Sequence, residues 1–378
     1  MRWATLSLLA ALAAPSVAAA QLPERLGPYW IGDETARVRP SLFTQLQLDG
    51  STRADGDFEV RPRLRRVRPI LRGSFLDGRV TATLHLEVGP ESPELIDAWI
   101  DGAVLPALRL RVGQLKTPFT EYYQRSLTEQ PVDWPLTSRW FGGERQLGVM
   151  AHGADPDTGL SYAAGAFAGQ NRRSAFAREL PRLYGLPDEN PSSLADPAAT
   201  EPIHTELVAR VGHATPGMDL RSRVDLDGGA LRHSVALSAA WDTGPVRGRD
   251  FALRVAPEVT LQRAGFTVIA VGYLGWIEDA AGQLAPGAVG ALAELGWRAH
   301  RHLELTARYA RVHVLSAVMD ENRNHDPAHA SHELTFAVGV PILGRSLLWE
   351  TDVAWLRAER SAAARDDLRV RSQLQLAF

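Results

Sequence analysis

The feature that most constrains this chain is an alternation of polar and apolar residues with a period of two, sustained along nearly its whole length. Between Arg79 and Val88 the odd positions are Arg, Thr, Thr, His and Glu, and the even positions are Val, Ala, Leu, Leu and Val. Successive side chains of a strand point to opposite faces, so this stretch is a strand with one wet face and one greasy face. The segment 302–312 repeats the pattern, with His302, Glu304, Thr306 and Arg308 opposite Leu303, Leu305, Ala307 and Tyr309. The last segment, 367–378, does the same. Marking every such stretch predicts sixteen strands: 37–48, 59–75, 78–88, 94–104, 107–115, 145–153, 160–168, 204–213, 231–241, 251–262, 265–276, 289–298, 302–312, 332–340, 346–357 and 367–378.

The connections alternate in length. Short ones fall at Asp77-Gly78, Leu105-Pro106, 154–159, 263–264, 299–301 and 341–345. Longer ones fall at 49–58, 116–144, 169–203, 242–250, 277–288, 313–331 and 358–366. Two break the rule: 89–93 is short on the long side, and 214–230 is long on the short side. Short turns on one rim and long loops on the other fit an outer-membrane barrel with an even strand number. In hydrocarbon every backbone donor and acceptor needs a partner, so a sheet must close on itself. The expected fold is therefore all-β, a transmembrane antiparallel β-barrel of about 16 strands, with apolar side chains toward lipid and polar ones around water. Trp241, Trp276, Trp297, Trp349, Trp355 and Phe378 lie at or near strand ends, where an aromatic girdle belongs. A soluble all-β protein would need a second packed layer to cover so many greasy faces.

The N-terminus reads as a secretory signal over residues 1–20: Arg2, an apolar run from Ala4 to Ala14, and small residues at Ala18-Ala19-Ala20 before a cut near Gln21. Residues 21–378 are then the barrel. The chain has no cysteine, so no disulfide supports it. A net charge of -3 argues against nucleic acid as a partner.

The connection 116–144 is too long for a plain link inside a compact chain, and loops of that length are usually functional. It carries Phe119, Tyr122, Tyr123, Trp134 and Trp140 alongside Lys116, Arg125 and Arg139, with Arg145 just beyond. Lys116 is the single lysine of the chain. This loop is expected to fold inward and narrow a pore. In 59–75, EVRPRLRRVRPILRGSF, Arg61, Arg63 and Arg65 alternate on one face and Arg66, Arg68 and Arg72 on the other. Each arginine on lipid costs roughly 2–4 kcal/mol at the midplane, so all six cannot sit on a regular strand. A bulge near Arg65-Arg66 would turn most of them inward. With Arg109, Arg111, Lys116 and Arg145 they form a positive wall, paired in part with Glu87, Asp97 and Asp101. A low-dielectric pore lined by one sign concentrates the opposite ion, and arginine matches phosphate oxygens in a two-pronged geometry.

Sequences for catalysis are missing: there is no HExxH, GxSxG or GxxxxGK[ST]. No enzyme activity and no cofactor are expected. His325, His329 and His332, with Asp326 and Glu333, read as a solvated loop rather than a metal site. The segment 169–203 reads as an external loop with one short helix around Ser174–Leu180.

The run LRLRVGQLKTPF, a loop bearing Pro and Trp, and then GGERQLGVMAHG resembles the phosphate-selective porin O and P family. The similarity extends upstream through RLRRVRPILRG and ELIDAWID and covers roughly 58–153. The resemblance implies a sixteen-stranded, homotrimeric outer-membrane channel whose loop after the fifth strand enters the lumen, flanked by Lys116 and Arg145. The ending Leu-Ala-Phe, closing at Phe378, resembles the signal by which barrels engage the outer-membrane insertion machinery. The expectation is a porin for passive diffusion of small anions, phosphate or polyphosphate among them. Lys116, Arg125, Arg139 and Arg145 would sit near the constriction, and Arg65, Arg66, Arg68, Arg109 and Arg111 on the wall. The alternative is a non-conducting barrel, enzymatic, adhesive or structural, with its lumen plugged by 116–144 and 169–203.

Overall fold

Each alternating stretch is a strand in the computed structural model, which describes residues 30–52, 58–89, 93–125, 131–142, 145–168, 205–245, 251–279, 281–315, 328–360 and 363–378. A short β1 (Ile31–Gly32) precedes sixteen long strands: β2 (Ala36–Thr52), β3 (Phe58–Phe75), β4 (Val80–Glu87), β5 (Glu94–Leu105), β6 (Leu108–Lys116), β7 (Arg145–Ala154), β8 (Leu160–Phe167), β9 (Glu206–Ala214), β10 (Arg232–Asp242), β11 (Leu253–Arg263), β12 (Phe266–Glu278), β13 (Leu284–His300), β14 (Leu303–Val314), β15 (Ala330–Leu343), β16 (Leu347–Glu359) and β17 (Ala364–Ala377). Each long strand pairs antiparallel with its sequence neighbours, and β17 pairs with β2, so the sheet closes without an edge. Phe378 seals the seam: its N–H donates to Leu42 O at 3.1 Å, and Leu42 N–H donates to Phe378 O at 2.9 Å. The expected leader 1–20 and the short helix near 174–180 lie outside the described residues.

The two faces are sorted as the alternation requires for a bilayer. On β15, Glu333, Thr335 and Ala337 point inward and are buried, while Phe336 between them is 56% exposed on the outer face. Leu207, Val211, Val235, Leu237, Val268, Leu274, Leu295 and Val353 are exposed in the same way. A water-soluble sheet would not leave such a continuous apolar belt uncovered. Aromatic rings rim it. Phe266 stacks on Trp297 at 5.3 Å near the short-turn end. On β16, Trp349 near that end and Trp355 toward the long loops are six residues apart, ~20 Å along a strand, comparable to the ~25 Å apolar band of such barrels.

Three local features differ from the expectation. The connection expected at 277–288 is a tight turn, because β12 and β13 run on until Asp279 Oδ1 accepts from Ala281 N at 2.9 Å and Gln283 N at 2.8 Å. The loop 116–144, which has no sustained apolar period, holds two short helices, α1 (Glu121–Gln124) and α2 (Leu136–Phe141). Strand β12 is apolar on both faces, with Ile269, Val271, Tyr273 and Ile277 buried on the inside. Those inner residues are where the loop lands.

Candidate functional site

The loop leaves β6, enters the barrel and docks on the inner wall of β10–β15. Thr117, Phe119, Thr120, Tyr122, Leu136, Thr137, Ser138 and Phe141 are all buried there. Phe141 is the apolar anchor, stacked on Phe251 at 5.0 Å and on Tyr273 at 5.1 Å. Gly290 makes room for it: a Cβ at that position would stand 2.6 Å from the Phe141 ring. Aromatic pairs of this kind add about 0.5–1.5 kcal/mol beyond area burial.

Polar anchors hold the loop backbone. Tyr122 OH donates to Glu294 at 2.7 Å, Glu121 N to Glu258 at 2.9 Å, and Leu136 N to Glu333 Oε2 at 2.8 Å. Arg308 donates to Asp133 O at 3.0 Å, and Arg254 to Phe141 O at 3.0 Å. Beneath the loop the charges cancel pairwise: Arg308 with Glu333 at 2.6 Å, Arg210 with Glu258 at 3.0 Å, and Arg254 with Glu206. This is the pairing that buried ions require.

Asp133 ties the tip of the loop to the rest of the circumference. Its carboxylate accepts from Arg65 Nη2 at 3.0 Å, Arg139 Nη2 at 3.0 Å and Arg371 Nη1 at 3.2 Å. Burial alone would raise the Asp133 carboxyl, but Arg65, Arg139 and Arg371 outweigh it and hold it well below the usual carboxylate range. The clamp therefore stays charged above that depressed range and loosens only when pH falls through it.

On the facing wall, the bulge expected near Arg65-Arg66 is present. Gln45 pairs with Arg66 and Leu46 with Leu64, leaving Arg65 as the extra residue. One residue inserted into a strand reverses its phase. Arg63, with Gln47, and Arg66, with Gln45, therefore both reach inward, and Arg68 follows to Glu87 at 2.5 Å. The acids expected to pair with arginines do so. Asp101 binds Arg109 and, at 2.8 Å, Arg111, while His152 Nε2 lies 2.6 Å away. Asp97 holds Arg145 at 2.9 Å and His85 at 2.9 Å.

Arg66 stands apart within this row. It donates to the neutral Gln45 at 2.7 Å and, among the described residues, has no carboxylate partner. Arg72, further along β3, has none either.

Among the residues expected at the constriction, the structure separates two roles. Arg65, Arg66, Arg68, Arg109, Arg111 and Arg145 line the wall opposite the docked loop. Lys116 turns into the loop: its ammonium donates to Tyr123 O and Arg125 O, both at 2.9 Å, and lies over the Tyr123 and Trp134 rings at 5.1 and 5.3 Å. Arg125 is wholly buried, 5.5 Å over the Tyr122 ring and 4.0 Å from Glu294. Both fasten the loop. Arg139 lies between, on Asp133, beside a cleft at the long-loop end lined also by Arg357, Arg365 and Arg369. Asp133 and Arg371 escaped the sequence reading as site residues, although Arg371 stands on the polar side of its strand. Of the histidines singled out earlier, His329 and His332 approach Glu359 at 3.8 and 3.9 Å, and His325 and Asp326 lie outside the described residues.

No family model matches the chain, and no curated protein does. Solved structures match its fold throughout. The outer-membrane channel DcaP of Acinetobacter baumannii superposes with a TM-score of 0.60 at 11% identity, over 93% of this chain and 100% of that one. The anion-selective porin from Comamonas acidovorans gives 0.54 at 12%, over 91% and 100%. OmpF of Salmonella typhi, solved with daunomycin, gives 0.60 at 10%, over 93% and 100%. With a closed barrel of sixteen long strands, an apolar belt and the β6–β7 loop folded inward, this chain has the fold of the bacterial outer-membrane porins.

Proposed function

We propose that the protein is an outer-membrane porin through which small anions diffuse passively, inorganic phosphate among them. One observation carries the reading. Charges buried beneath the loop are matched acid to base, whereas the arginine row on β3 keeps cations, Arg66 and Arg72, that form no ion pair with a carboxylate among the described residues. A charge of one sign, set in low-dielectric walls, draws in the opposite ion. The guanidinium fork suits oxyanions, since it offers parallel N–H donors to two oxygens. The outer-membrane setting follows from the greasy exterior and the porin fold together. The homotrimer implied by the resemblance belongs to the same proposal, and chemical cross-linking in detergent would reveal it as a three-chain species.

Liposome swelling tests the reading. Proteoliposomes should swell faster in small anionic solutes than in cationic ones of equal size, with neutral solutes between. Absence of swelling in every solute would establish a plugged barrel, the competing outcome for a lumen so heavily occupied by its loop.

A further inference from the structure

The connection 215–231, between β9 and β10, lies on the rim where every other described turn is short. It does not hang into solvent. Ser222, Arg223, Val224 and Asp225 are buried, with Arg223 1% exposed and Val224 fully covered. Arg223 explains how it is held. Its Nη1 donates to Glu350 at 2.6 Å, and its Nε and Nη2 donate to Glu304 at 3.2 and 3.1 Å. Those acids are inward residues of β16 and β14, near the short-turn end of the lumen. The segment therefore runs inside the barrel from β9 across to β14 and β16.

The rest of the segment is fastened along the same path. Gln262 donates to Asp219 O at 2.9 Å, Gly265 N to Asp225 Oδ2 at 3.1 Å, and Arg298 to Leu226 O at 2.8 Å. The wall is shaped to receive it. A Cβ on Gly296 would collide with the Arg223 carbonyl, and one on Gly339 with the Arg223 guanidinium. Neither glycine has a positive φ, so backbone conformation does not call for glycine at either place. Their neighbours on the same inner face, Glu294 and Ala337, carry side chains. The two glycines form slots for the inserted segment.

Arg221, just before the anchor, is exposed. It is close enough to Arg72 for the two cations to repel, and Arg72 faces Arg39 directly across β2 and β3. Arg39 and its inward neighbour Arg37 stack over Trp30, at 5.3 and 4.7 Å, where the N-terminal segment folds back along β2. Among the described residues none of Arg39, Arg72 and Arg221 has a carboxylate partner. Three unpaired guanidiniums at one end of a lumen repel each other, and an anion between them relieves that cost.

We propose that segment 215–231 is a second, built-in constriction at the short-turn mouth, and that Arg221, Arg39 and Arg72 form an anion station there, in series with the first and favouring oxyanions with more than one negative charge. The station rests on the reading of the barrel as an anion pore. The inserted segment narrows the lumen whatever passes through it.

The cysteine-free chain makes a direct test available. Arg221→Cys is placed in a planar bilayer and treated from the short-turn side with a thiol reagent bearing a sulfonate. The Arg221→Cys substitution removes one charge unit and the attached sulfonate a second, two units relative to the wild type. At ~8 Å in water-like surroundings that lowers the anion preference about fivefold, and single-channel current should drop stepwise as the reagent attaches. Inorganic phosphate, present beforehand, should slow the labelling. If the wild-type pore is anion-preferring but labelling at 221 changes neither current nor selectivity, the second constriction is overturned while the proposed function stands. If the wild-type pore shows no anion preference, the function itself fails, and a stepwise drop in current would then support the constriction alone. Arg223→Ala supplies an independent arm: release of the segment should raise single-channel conductance, and an unchanged conductance contradicts the proposal.

Discussion

Arg66→Glu is expected to abolish or invert the anion preference of the pore while the barrel still assembles. Arg66 sits on the inner face of β3, where its side chain donates to Gln45 and, among the described residues, pairs with no carboxylate, so its charge is available to a passing ion. At ~5 Å in water-like surroundings a unit charge is worth about 0.8 kcal/mol, and reversing it about 1.7 kcal/mol, on the order of a tenfold fall in anion passage with an opposite rise for cations. The shift should shrink as salt is raised, because screening shortens the reach of the charge to ~10 Å at 0.1 M. Zero-current potentials measured at low and high salt would show both effects. Arg68→Glu removes the same two charge units and leaves Glu87 unpaired beside it, so a shift in the same direction is expected there. An unchanged zero-current potential in Arg66→Glu would mean that the ion path does not pass Arg66.

Arg308→Ala is expected to have the larger effect on structure. Arg308 is fully buried, neutralises Glu333 and donates to the Asp133 carbonyl. Glu333 in turn receives the Leu136 N–H at the start of α2. Removing the guanidinium leaves a buried carboxylate without its counter-ion, a loss of about 3–5 kcal/mol, and loosens both the Asp133 tip and α2. The loop should then undock from β12–β15, single-channel conductance should rise and become noisy, and the 117–142 segment should become sensitive to added protease. The strands outside the lumen should be unaffected, because their closure depends on backbone pairing. A variant with unaltered conductance and protease resistance would show that Phe141, between Phe251 and Tyr273, holds the loop unaided.

Much of this architecture could be read from the sequence, because a barrel in lipid writes its orientation at every second residue. All sixteen alternating stretches are strands, and even the phase slip at Arg65-Arg66 was readable, since six arginines on both faces of one strand cannot be tolerated without it. The acid partners Glu87, Asp97 and Asp101 were readable for the same reason: they share the inward parity of the arginines they meet. What alternation cannot encode is contact across the lumen. Lys116 looked like a pore-lining charge because it sits in the loop motif, yet its ammonium serves the loop's own carbonyls. Arg125 was expected near the constriction and is buried against Glu294. Asp133 gave no signal at all, since its three arginines come from β3, β17 and its own loop, far apart in the chain. The connection 214–230 was visible as an exception to the rule of short turns. Its insertion depends on Gly296 and Gly339, two residues that look like weak points in a strand until the segment filling them is seen.

The most direct measurement is the zero-current potential of the purified protein in a planar bilayer across a tenfold gradient of potassium chloride. The arginine row predicts a stable conductance and a potential whose sign reports chloride crossing more readily than potassium, with smaller conductance steps when inorganic phosphate is added. A potential of the opposite sign, or a membrane that never conducts, would contradict the claim that uncompensated arginines on β3 line an open path.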